Sequence, residues 1–187
     1  MKVWIIRHGE SETNKAGLWT GWMDVALTEK GKQDAAMAGE YLKEVSFDKI
    51  YASDLQRAKN TAEIAIPGCK YETDPALREV NVGNIAGKPL SIVREGCTVP
   101  KNINGYADFG GESFAQMDAR VARFMEQLET AEGENIAIFT HAGWVRSSLD
   151  FVMGMKMPKK HIRCNNCTIA IYEFTGDFWR LHSWINL

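Results

Sequence analysis

Four basic residues that could bind and transfer a phosphate group each lie at, or one helical turn after, the end of a short apolar stretch. They are Arg7, His8, Arg57 and His141. A guanidinium group suits phosphate because its planar fork can bind two oxygens at once. A neutral imidazole is a good nucleophile near pH 7. Two arginines and two histidines in one crevice would therefore suit phosphoryl-group chemistry.

The residue types alone leave open how the work is divided between the two histidines. One of them, unprotonated, could attack phosphorus. A phosphate-binding pocket would raise the pKa of the second, which would then stabilise charge as a cation. The leaving oxygen also needs a proton donor. Glu79 is a candidate for this role, if burial and the charge of the substrate raise its pKa.

The elements that would position these residues alternate between strand and helix patterns, which predicts an α/β fold with a mostly parallel central sheet. We expect a three-layer α/β/α sandwich. Ligands of open α/β sheets bind outside the carboxyl ends of the strands, so the basic residues are expected to meet there. Buried strands are predicted at 3–6, 49–53 and 136–140, with a C-terminal hairpin at 168–174 and 179–185.

Capping residues indicate where three helices begin. Thr28 is the predicted N-cap of the first. Ser53 or Asp54 is predicted to cap the second. Ser113, with Gln116 three residues later, fits a capping box at the start of the third.

Residues 75–111 are rich in Gly and Pro and show no clear helix or strand period. A long irregular segment inside a compact domain is commonly functional. We predict that residues 80–111 form a lid-like insertion that determines substrate specificity. A chain of 187 residues suits one domain, so we assign this insertion to a single domain over residues 1–187.

Composition argues against several classes of partner. The 22 Lys and Arg against 24 Asp and Glu give a net charge of −2, which argues against binding of nucleic acid. No apolar run approaches the ~18 residues of a membrane span, and Val3 to Ile6 is too short for the core of a signal peptide. We expect a cytoplasmic protein with reduced thiols. Cys164 and Cys167 have no second ligand pair at metal-binding spacing, so no metal site is expected.

The segment Arg7 to Asn14 resembles the opening motif of the histidine phosphatase superfamily, which includes the cofactor-dependent phosphoglycerate mutases. Here the motif directly follows a predicted strand. The other family elements appear in order, and the resemblance covers about residues 1–150. These elements are Ser53 to Ala58, Leu77 to Glu79 with Gly83 and Gly87, Gly111 to Ser113, and Thr140 to Gly143.

The resemblance implies a role for each matching catalytic position. His8 would be the nucleophile that becomes a phosphohistidine. Glu79 would protonate the leaving oxygen and, in a phosphatase, would then activate water. Arg7, Arg57 and His141 would hold the phosphoryl group.

The resemblance also implies contacts with the substrate. Asn14 would hydrogen-bond a phosphate oxygen, and the backbone N–H of Ala142 would contribute, although the family usually has Gly there. Thr20 and Gly21 belong to a segment similar to the Thr-Gly-Trp of the mutase branch, where they contact phosphate; an ordinary turn is the alternative. No metal or diffusible organic cofactor is implied for a phosphatase. The expected partner is a small phosphorylated substrate, bound by a monomer or homodimer.

Three functions are weighed: a phosphomonoester hydrolase, a cofactor-dependent phosphoglycerate mutase and a non-catalytic module that binds a phosphate ligand. The last would need a missing catalytic residue, and none is missing. Mutases of the family have a longer insertion after the acid and an adjacent Arg pair, and this sequence has no Arg-Arg. They also have Tyr at the position of Val82 and Gly-Asn at Ala142-Gly143. These departures predict the phosphatase branch, whereas the segment Thr20 to Trp22 favours the mutase.

Contacts that select the substrate are expected in the irregular segment. Lys88, Arg94 and Lys101 are candidates for binding a second anionic group, although a solvated charge is the default for each. The ring of Tyr106 or Phe109 could face an apolar leaving group. The sequence does not select among these possibilities.

Overall fold

The computed structural model describes residues 1–93, 105–156 and 162–187. The strands are β1 (Lys2–Arg7), β2 (Lys49–Ala52), β3 (Glu72–Thr73), β4 (Asn135–Thr140), β5 (Ile169–Phe174) and β6 (Trp179–Ile185). They form a six-stranded sheet in the order β3-β2-β4-β1-β5-β6. The α-helices within the described residues are α1 (Glu12–Lys15), α2 (Glu29–Leu42), α3 (Gln56–Ala65), α4 (Phe114–Leu128) and α5 (Ala142–Met153).

Strand β1 lies at the centre, where the parallel and antiparallel parts of the sheet meet. It pairs in parallel with β4, with Ile5 opposite Ile138. On its other side it pairs antiparallel with β5, with Ile5 opposite Ala170. Strand β2 pairs in parallel with both β4 and β3, and β6 forms an antiparallel hairpin with β5. The predicted α/β fold, its mostly parallel sheet and its C-terminal hairpin are therefore confirmed.

Successive side chains of the central strands point to opposite faces of the sheet, and a pair of helices covers each face. Ile5 belongs to a core cluster that also contains residues of α4 and α5, including Val121. Ile6 belongs to the opposite cluster, which contains Leu42 of α2 and Ala62 of α3. This alternation is the reason that the strands read as continuous apolar runs. The three-layer α/β/α arrangement is thus confirmed.

Two of the three predicted helix starts are confirmed. The Thr28 hydroxyl accepts a hydrogen bond of 3.0 Å from the Gly31 N–H at the start of α2. At the start of α4, the Ser113 hydroxyl accepts from the Gln116 N–H at 3.1 Å, and the Ser113 N–H donates to Gln116 Oε1 at 2.8 Å. The start of α4 is therefore a genuine capping box.

The predicted capping of α3 by Ser53 or Asp54 is wrong. Helix α3 begins at Gln56, and its N-cap residue, Leu55, makes no side-chain capping bond. Instead, the Gln56 N–H donates to Asp24 Oδ1 at 2.7 Å. The cap therefore comes from a distant part of the chain, because the Ser53 hydroxyl contacts a histidine and Asp54 pairs with an arginine.

The described part of the irregular segment contains short 3₁₀-helices. They are Pro75–Leu77, Gly83–Ile85, Leu90–Val93 and Ala107–Phe109. Residues 94–104 of the predicted insertion lie outside the described residues, so its role as a lid stays a prediction. Helix α1 and strand β3 are not predicted from the sequence, because elements of four and two residues are too short to show a period.

Neither a membrane-spanning helix nor a metal-binding cluster is present among residues 1–93, 105–156 and 162–187. No helix there combines the length and apolar composition needed to cross a bilayer. No three His, Cys, Asp or Glu side chains there are grouped so that they could hold a metal ion. Cys69, Cys164 and Cys167 are free thiols.

Two methionines provide a matched test of the core. Met125 of α4 is fully buried, whereas Met37 of α2 is 52% exposed. Met125→Ala is expected to lower the free energy of unfolding by about 2–5 kcal/mol, because the lost burial and the cavity left behind both destabilise. Met37→Ala is expected to change it by less than about 0.5 kcal/mol. Urea denaturation measures both effects, and equal effects would contradict the core position of Met125.

Candidate active site

The candidate site lies at the carboxyl ends of three neighbouring strands, β1, β4 and β2. Arg7 at the end of β1 pairs with Thr140 at the end of β4. His8 and His141 follow side by side, and their ring centroids are 5.1 Å apart. The Ser53 hydroxyl, just after β2, lies 2.8 Å from His141 Nε2. The sheet therefore brings both histidines to one edge, where ligands of open α/β sheets bind.

Hydrogen bonds fix the tautomer of His8. Its Nδ1 lies 2.6 Å from the carbonyl oxygen of Gly9, which can only accept, so Nδ1 carries the proton. Its Nε2 accepts from Arg57 Nε at 3.3 Å, and a guanidinium can only donate. The lone pair of Nε2, with which His8 would attack an electrophile, is thus engaged by one long hydrogen bond.

Arg57 is fully buried near the start of α3, and its acceptors carry no formal charge. Besides its bond to His8, it donates to the carbonyl oxygens of Met23 at 2.7 Å and Gly21 at 2.9 Å. Burial lowers the pKa of Arg57 to about 10, which leaves it charged at neutral pH. The guanidinium therefore holds the loop at residues 20–24 and sets a positive charge against His8.

Arg7 is the second cation of the site. Its Nη1 donates to the carbonyl oxygen of Cys164 at 2.6 Å, and its buried Nε has no hydrogen-bond partner among the described residues. In this part of the chain neither Arg7 nor Arg57 forms an ion pair with a carboxylate. Glu79 acts on both arginines only through space. Two buried guanidinium groups without a paired carboxylate favour an anionic ligand.

Burial and the two arginines keep both histidines neutral. Burial is the largest cause that lowers the pKa of His8 well below its ordinary value, followed by Arg57 and Arg7. The pKa of His141 is also well below its ordinary value, because of burial first, then Arg57 and His8. The sequence-based expectation that the pocket raises the pKa of His141 is therefore opposite to the effect of the protein groups themselves, which all disfavour the imidazolium.

The carboxylate of Glu79 lies against the first turn of α5. Its Oε1 and Oε2 accept from the Gly143 N–H at 3.0 and 3.2 Å, and Oε1 also accepts from the Val80 N–H at 2.9 Å. A Cβ at position 143 would lie 2.1 Å from Glu79 Oε1. Glycine at this position therefore allows the carboxylate and the helix to approach closely.

The backbone of Glu79 is held from two sides. Arg120 of α4, which pairs with Glu112, donates to the carbonyl oxygen of Arg78 at 2.8 Å. From the other side, Trp22 Nε1 donates to the carbonyl oxygen of Glu79 at 2.6 Å. The Arg78 guanidinium lies 4.8 Å from the centre of the Trp22 ring, as in a cation–π contact. These contacts fix where the Glu79 carboxylate meets α5.

A cavity of about 960 Å³ opens beside these groups. Of the sequence-predicted site residues, His8, Arg57 and His141 are buried and are at most 4% exposed. The other predicted site residues line the cavity directly. They are Arg7, Asn14, Thr20, Gly21, Glu79 and Ala142. The contacts of Arg57 with both His8 and Gly21 join the buried set to the lining set.

Asn14 and Thr20 differ in what they can offer a ligand. Asn14 Oδ1 accepts from Asn166 Nδ2 at 3.2 Å and from the Ser11 N–H at 3.3 Å. No described residue accepts from Asn14 Nδ2. The Thr20 hydroxyl lies 2.6 Å from the Thr13 hydroxyl. Asn14 therefore has free donors at the cavity wall, whereas the Thr20 hydroxyl already has a protein partner.

Asn166 is a site residue that the sequence does not reveal. Its Nδ2 donates to the carbonyl oxygen of His8 at 3.1 Å. It lies between Cys164 and Cys167, whose spacing suggests only metal or redox chemistry. The contact arises because β5 pairs antiparallel with β1, which places the residues before β5 beside those after β1. No short-range pattern reports such a pairing.

The predicted leaving-group contacts are divided by the structure. Tyr106 lines the cavity. Phe109 is partly buried against the cluster that contains Tyr106, and Lys88 is exposed. Neither of them is among the described residues that line the cavity. Arg94 and Lys101 lie outside the described residues.

Comparison with known proteins gives one family and a consistent fold. The family model described as the histidine phosphatase superfamily (branch 1) matches residues 3–187. A protein of Erwinia tasmaniensis named "Probable phosphoglycerate mutase GpmB" is 29% identical over 194 residues, which cover 99% of this chain and 90% of that protein.

Two solved structures show the same fold with different printed activities. A proposed alpha-ribazole-5'-P phosphatase from Escherichia coli has a TM-score of 0.88 and 25% identity, over 100% of this chain and 96% of that one. A mutant of phosphoserine phosphatase from Entamoeba histolytica, in complex with phosphoserine, has a TM-score of 0.85 and 25% identity, over 98% and 95%.

The buried neutral histidines predict how stability depends on pH. Their pKa values are lower in the folded than in the unfolded chain, so the unfolded chain binds more protons as pH falls below about 6.5. The free energy of unfolding is expected to decrease from about pH 6.5 to about pH 5, by up to about 1.4 kcal/mol per pH unit for each histidine. Urea denaturation across this range measures the slope.

His141→Asn is expected to make that slope shallower by up to about 1.4 kcal/mol per pH unit, because one buried group no longer titrates on unfolding. His182→Asn is the matched control, since His182 is an exposed residue of β6. An unchanged slope in the His141 variant would show that this histidine is not held neutral by the fold.

Proposed function

The chain belongs to the histidine phosphatase superfamily, and within that family we propose that it hydrolyses phosphomonoesters of small metabolites through a phosphohistidine at His8. One observation carries this proposal. Two buried guanidinium groups, Arg7 and Arg57, have no paired carboxylate in the described residues and flank a neutral histidine with an available Nε2 lone pair. A phosphate carries about −1.5 to −2 charges at neutral pH and would supply the missing charge.

In the first step, the phosphate of the substrate binds between Arg7 and Arg57, and the Arg57 Nε–H moves from His8 Nε2 to a phosphate oxygen. His8 Nε2 attacks phosphorus, so that a P–N bond forms as the P–O bond to the leaving group breaks. Glu79 gives a proton to the leaving oxygen. The Nδ1–H bond to Gly9 keeps the ring oriented for this attack.

In the second step, the Glu79 carboxylate takes a proton from water, whose oxygen attacks phosphorus. The P–N bond breaks, its electron pair returns to His8 Nε2 and inorganic phosphate leaves. Asn14 Nδ2 and the Ala142 N–H are assigned to the phosphate oxygens, because both residues line the cavity. His141, whose Nδ1 is buried without a described partner, is assigned to hold the phosphoryl group as well, and bound phosphate favours its protonation.

A phosphoglycerate mutase is the second candidate, supported by the printed name of the curated relative and by the segment Thr20 to Trp22. The absence of an Arg-Arg pair and the Val82 residue argue against it. In this chain the 20–22 segment also has scaffolding roles, since the Gly21 carbonyl holds Arg57 and Trp22 holds the Glu79 backbone. The segment therefore does not by itself require mutase chemistry.

Phosphate release that depends on His8 is the direct test of the proposal. We expect wild type to release phosphate from members of a phosphomonoester panel, and His8→Ala to reduce this turnover by at least about a thousandfold, because the nucleophile is lost. His182→Ala, the exposed matched control, is expected to keep full activity. Free phosphate is measured, and thermal denaturation checks that each variant is folded.

The same panel includes 3-phosphoglycerate, with and without 2,3-bisphosphoglycerate, and 2-phosphoglycerate is measured as product. Isomerisation stimulated by the bisphosphate, with little free phosphate, would overturn the proposal in favour of a mutase. Folded wild type with neither activity would leave the binding-module function, and near-wild-type turnover in His8→Ala would refute the nucleophile assignment.

Glu79→Gln tests the proton donor. The amide keeps an oxygen that can accept from the Gly143 N–H but cannot deliver a proton as a carboxylic acid does. We expect kcat/KM to fall by about 10²–10⁴-fold for alkyl phosphates, which have poor leaving groups, and much less for p-nitrophenyl phosphate. A series of aryl and alkyl phosphates measures this dependence. An equal loss across the series would assign the acid to another residue.

A further inference from the structure

The cavity is larger than a phosphate requires. Its volume of about 960 Å³ is in the range that accommodates a small organic ligand. Much of its wall is apolar and includes Trp19, Val82, Leu90 and Tyr106. A leaving group attached to a phosphate at His8 would therefore be bound within the same cavity. Charged residues in its wall are candidates for selecting that leaving group.

Three charged residues of the wall neutralise one another. Lys156 pairs with Asp118 and lies 3.8 Å from Asp150. Asp118 also accepts a hydrogen bond of 2.5 Å from the Ser147 hydroxyl. The lysine charge is thus balanced by two carboxylates, so this cluster leaves no excess positive charge for a ligand.

Arg146 is the contrasting residue of the wall. Its buried Nε has no hydrogen-bond partner, and no ion pair or hydrogen bond joins it to any residue within 1–93, 105–156 or 162–187. It acts on Arg7 through space and lowers the pKa of that residue, so the two cations repel each other. An anionic group in the cavity would relieve this repulsion and fill the free donors of Arg146.

The position of Arg146 on α5 sets where that anion would lie. Residues four apart share a helix face, and Ala142 and Arg146 both line the cavity. Ala142 and Gly143 are the first residues of α5, beside Glu79. Four helical residues rise about 6 Å. A group bound by Arg146 would lie about that much further along α5 than a phosphate at the helix start, a spacing that a short leaving group can bridge.

We propose that Arg146 selects the substrate by binding a second anionic group, a carboxylate or a phosphate, on the leaving group of the phosphomonoester. The inference rests on the proposed phosphatase function. It assigns to α5 the second anion contact for which the sequence offers Lys88, Arg94 and Lys101. The part of the leaving group between its two anionic groups would pack against the apolar wall.

The test compares pairs of probes that differ by one anionic group. 3-Phosphoglycerate and glycerol 3-phosphate differ by a carboxylate, and fructose 1,6-bisphosphate and fructose 6-phosphate differ by a phosphate. In wild type we expect kcat/KM to favour the more anionic member of at least one pair by about tenfold or more. Arg146→Met is expected to lower kcat/KM for that member by about 10–100-fold, as loss of a charged hydrogen bond predicts.

The less anionic member and p-nitrophenyl phosphate are expected to change by less than about threefold in Arg146→Met, because they lack the group that Arg146 binds. Arg146→Lys is expected to recover part of the preference, since the charge is restored without the planar fork. Arg123→Met is the matched control, because Arg123 is an exposed residue of α4. An equal loss for all substrates would assign Arg146 a structural role, and a wild type without preference would overturn the proposal.

Failure of the phosphatase proposal would be visible separately, as wild type that does not hydrolyse p-nitrophenyl phosphate or any member of the pairs. Titration calorimetry with the same pairs, on wild type and Arg146→Met, then decides the inference through binding alone. Preference for the more anionic member that is lost in the variant supports it. Equal binding of both members by wild type, or an unchanged preference in the variant, overturns it.

Discussion

The buried guanidinium of Arg57 is the interaction on which the rest of the site depends. It joins the His8 lone pair, the carbonyl oxygens of Gly21 and Met23, and the first turn of α3. Taking a cation out of water is costly unless its donors are satisfied. This fold satisfies them with carbonyl and imidazole acceptors rather than with a carboxylate. Its positive charge is therefore not cancelled within the protein and remains available to an anion.

The segment at residues 20–24 shows how a sequence similarity can reflect scaffolding as much as reaction type. Thr20 to Trp22 resembles a segment of the mutase branch, yet here its backbone holds Arg57 and its indole holds the Glu79 loop. Asp24 completes the segment by capping α3, the helix that carries Arg57. Any member of the family that positions its arginine and acid in this way would need such a segment, whichever acceptor receives the phosphoryl group.

What the sequence predicts well are residues placed by strands. Arg7 and His141 follow apolar runs that indicate strands covered on both faces, and parallel neighbours end at the same edge of a sheet. The helix caps at Thr28 and Ser113 are equally local and equally readable. The cap at Gln56 is not, because its acceptor, Asp24, is far away in the sequence.

Groups that act on the site from distant elements stay hidden for the same reason. Asn166, Arg120 and Arg146 reach the site or its cavity only because β5, α4 and α5 pack where they do. The direction of the His141 pKa shift depends on burial and on neighbouring cations, neither of which a motif reports. Local patterns therefore predict the frame of the site, whereas its electrostatics require the fold.

The central place of β1 has a consequence for how the protein comes into being. The strand that carries Arg7 pairs with β4 and β5, so that Lys2 lies opposite both Asn135 and Glu173. Contacts between residues so far apart form slowly, because a long loop must close before they are gained. A ribosome makes the reactive histidine early and the strands that align it late. The nascent chain therefore carries its chemistry in an unassembled form until β5 has been synthesised.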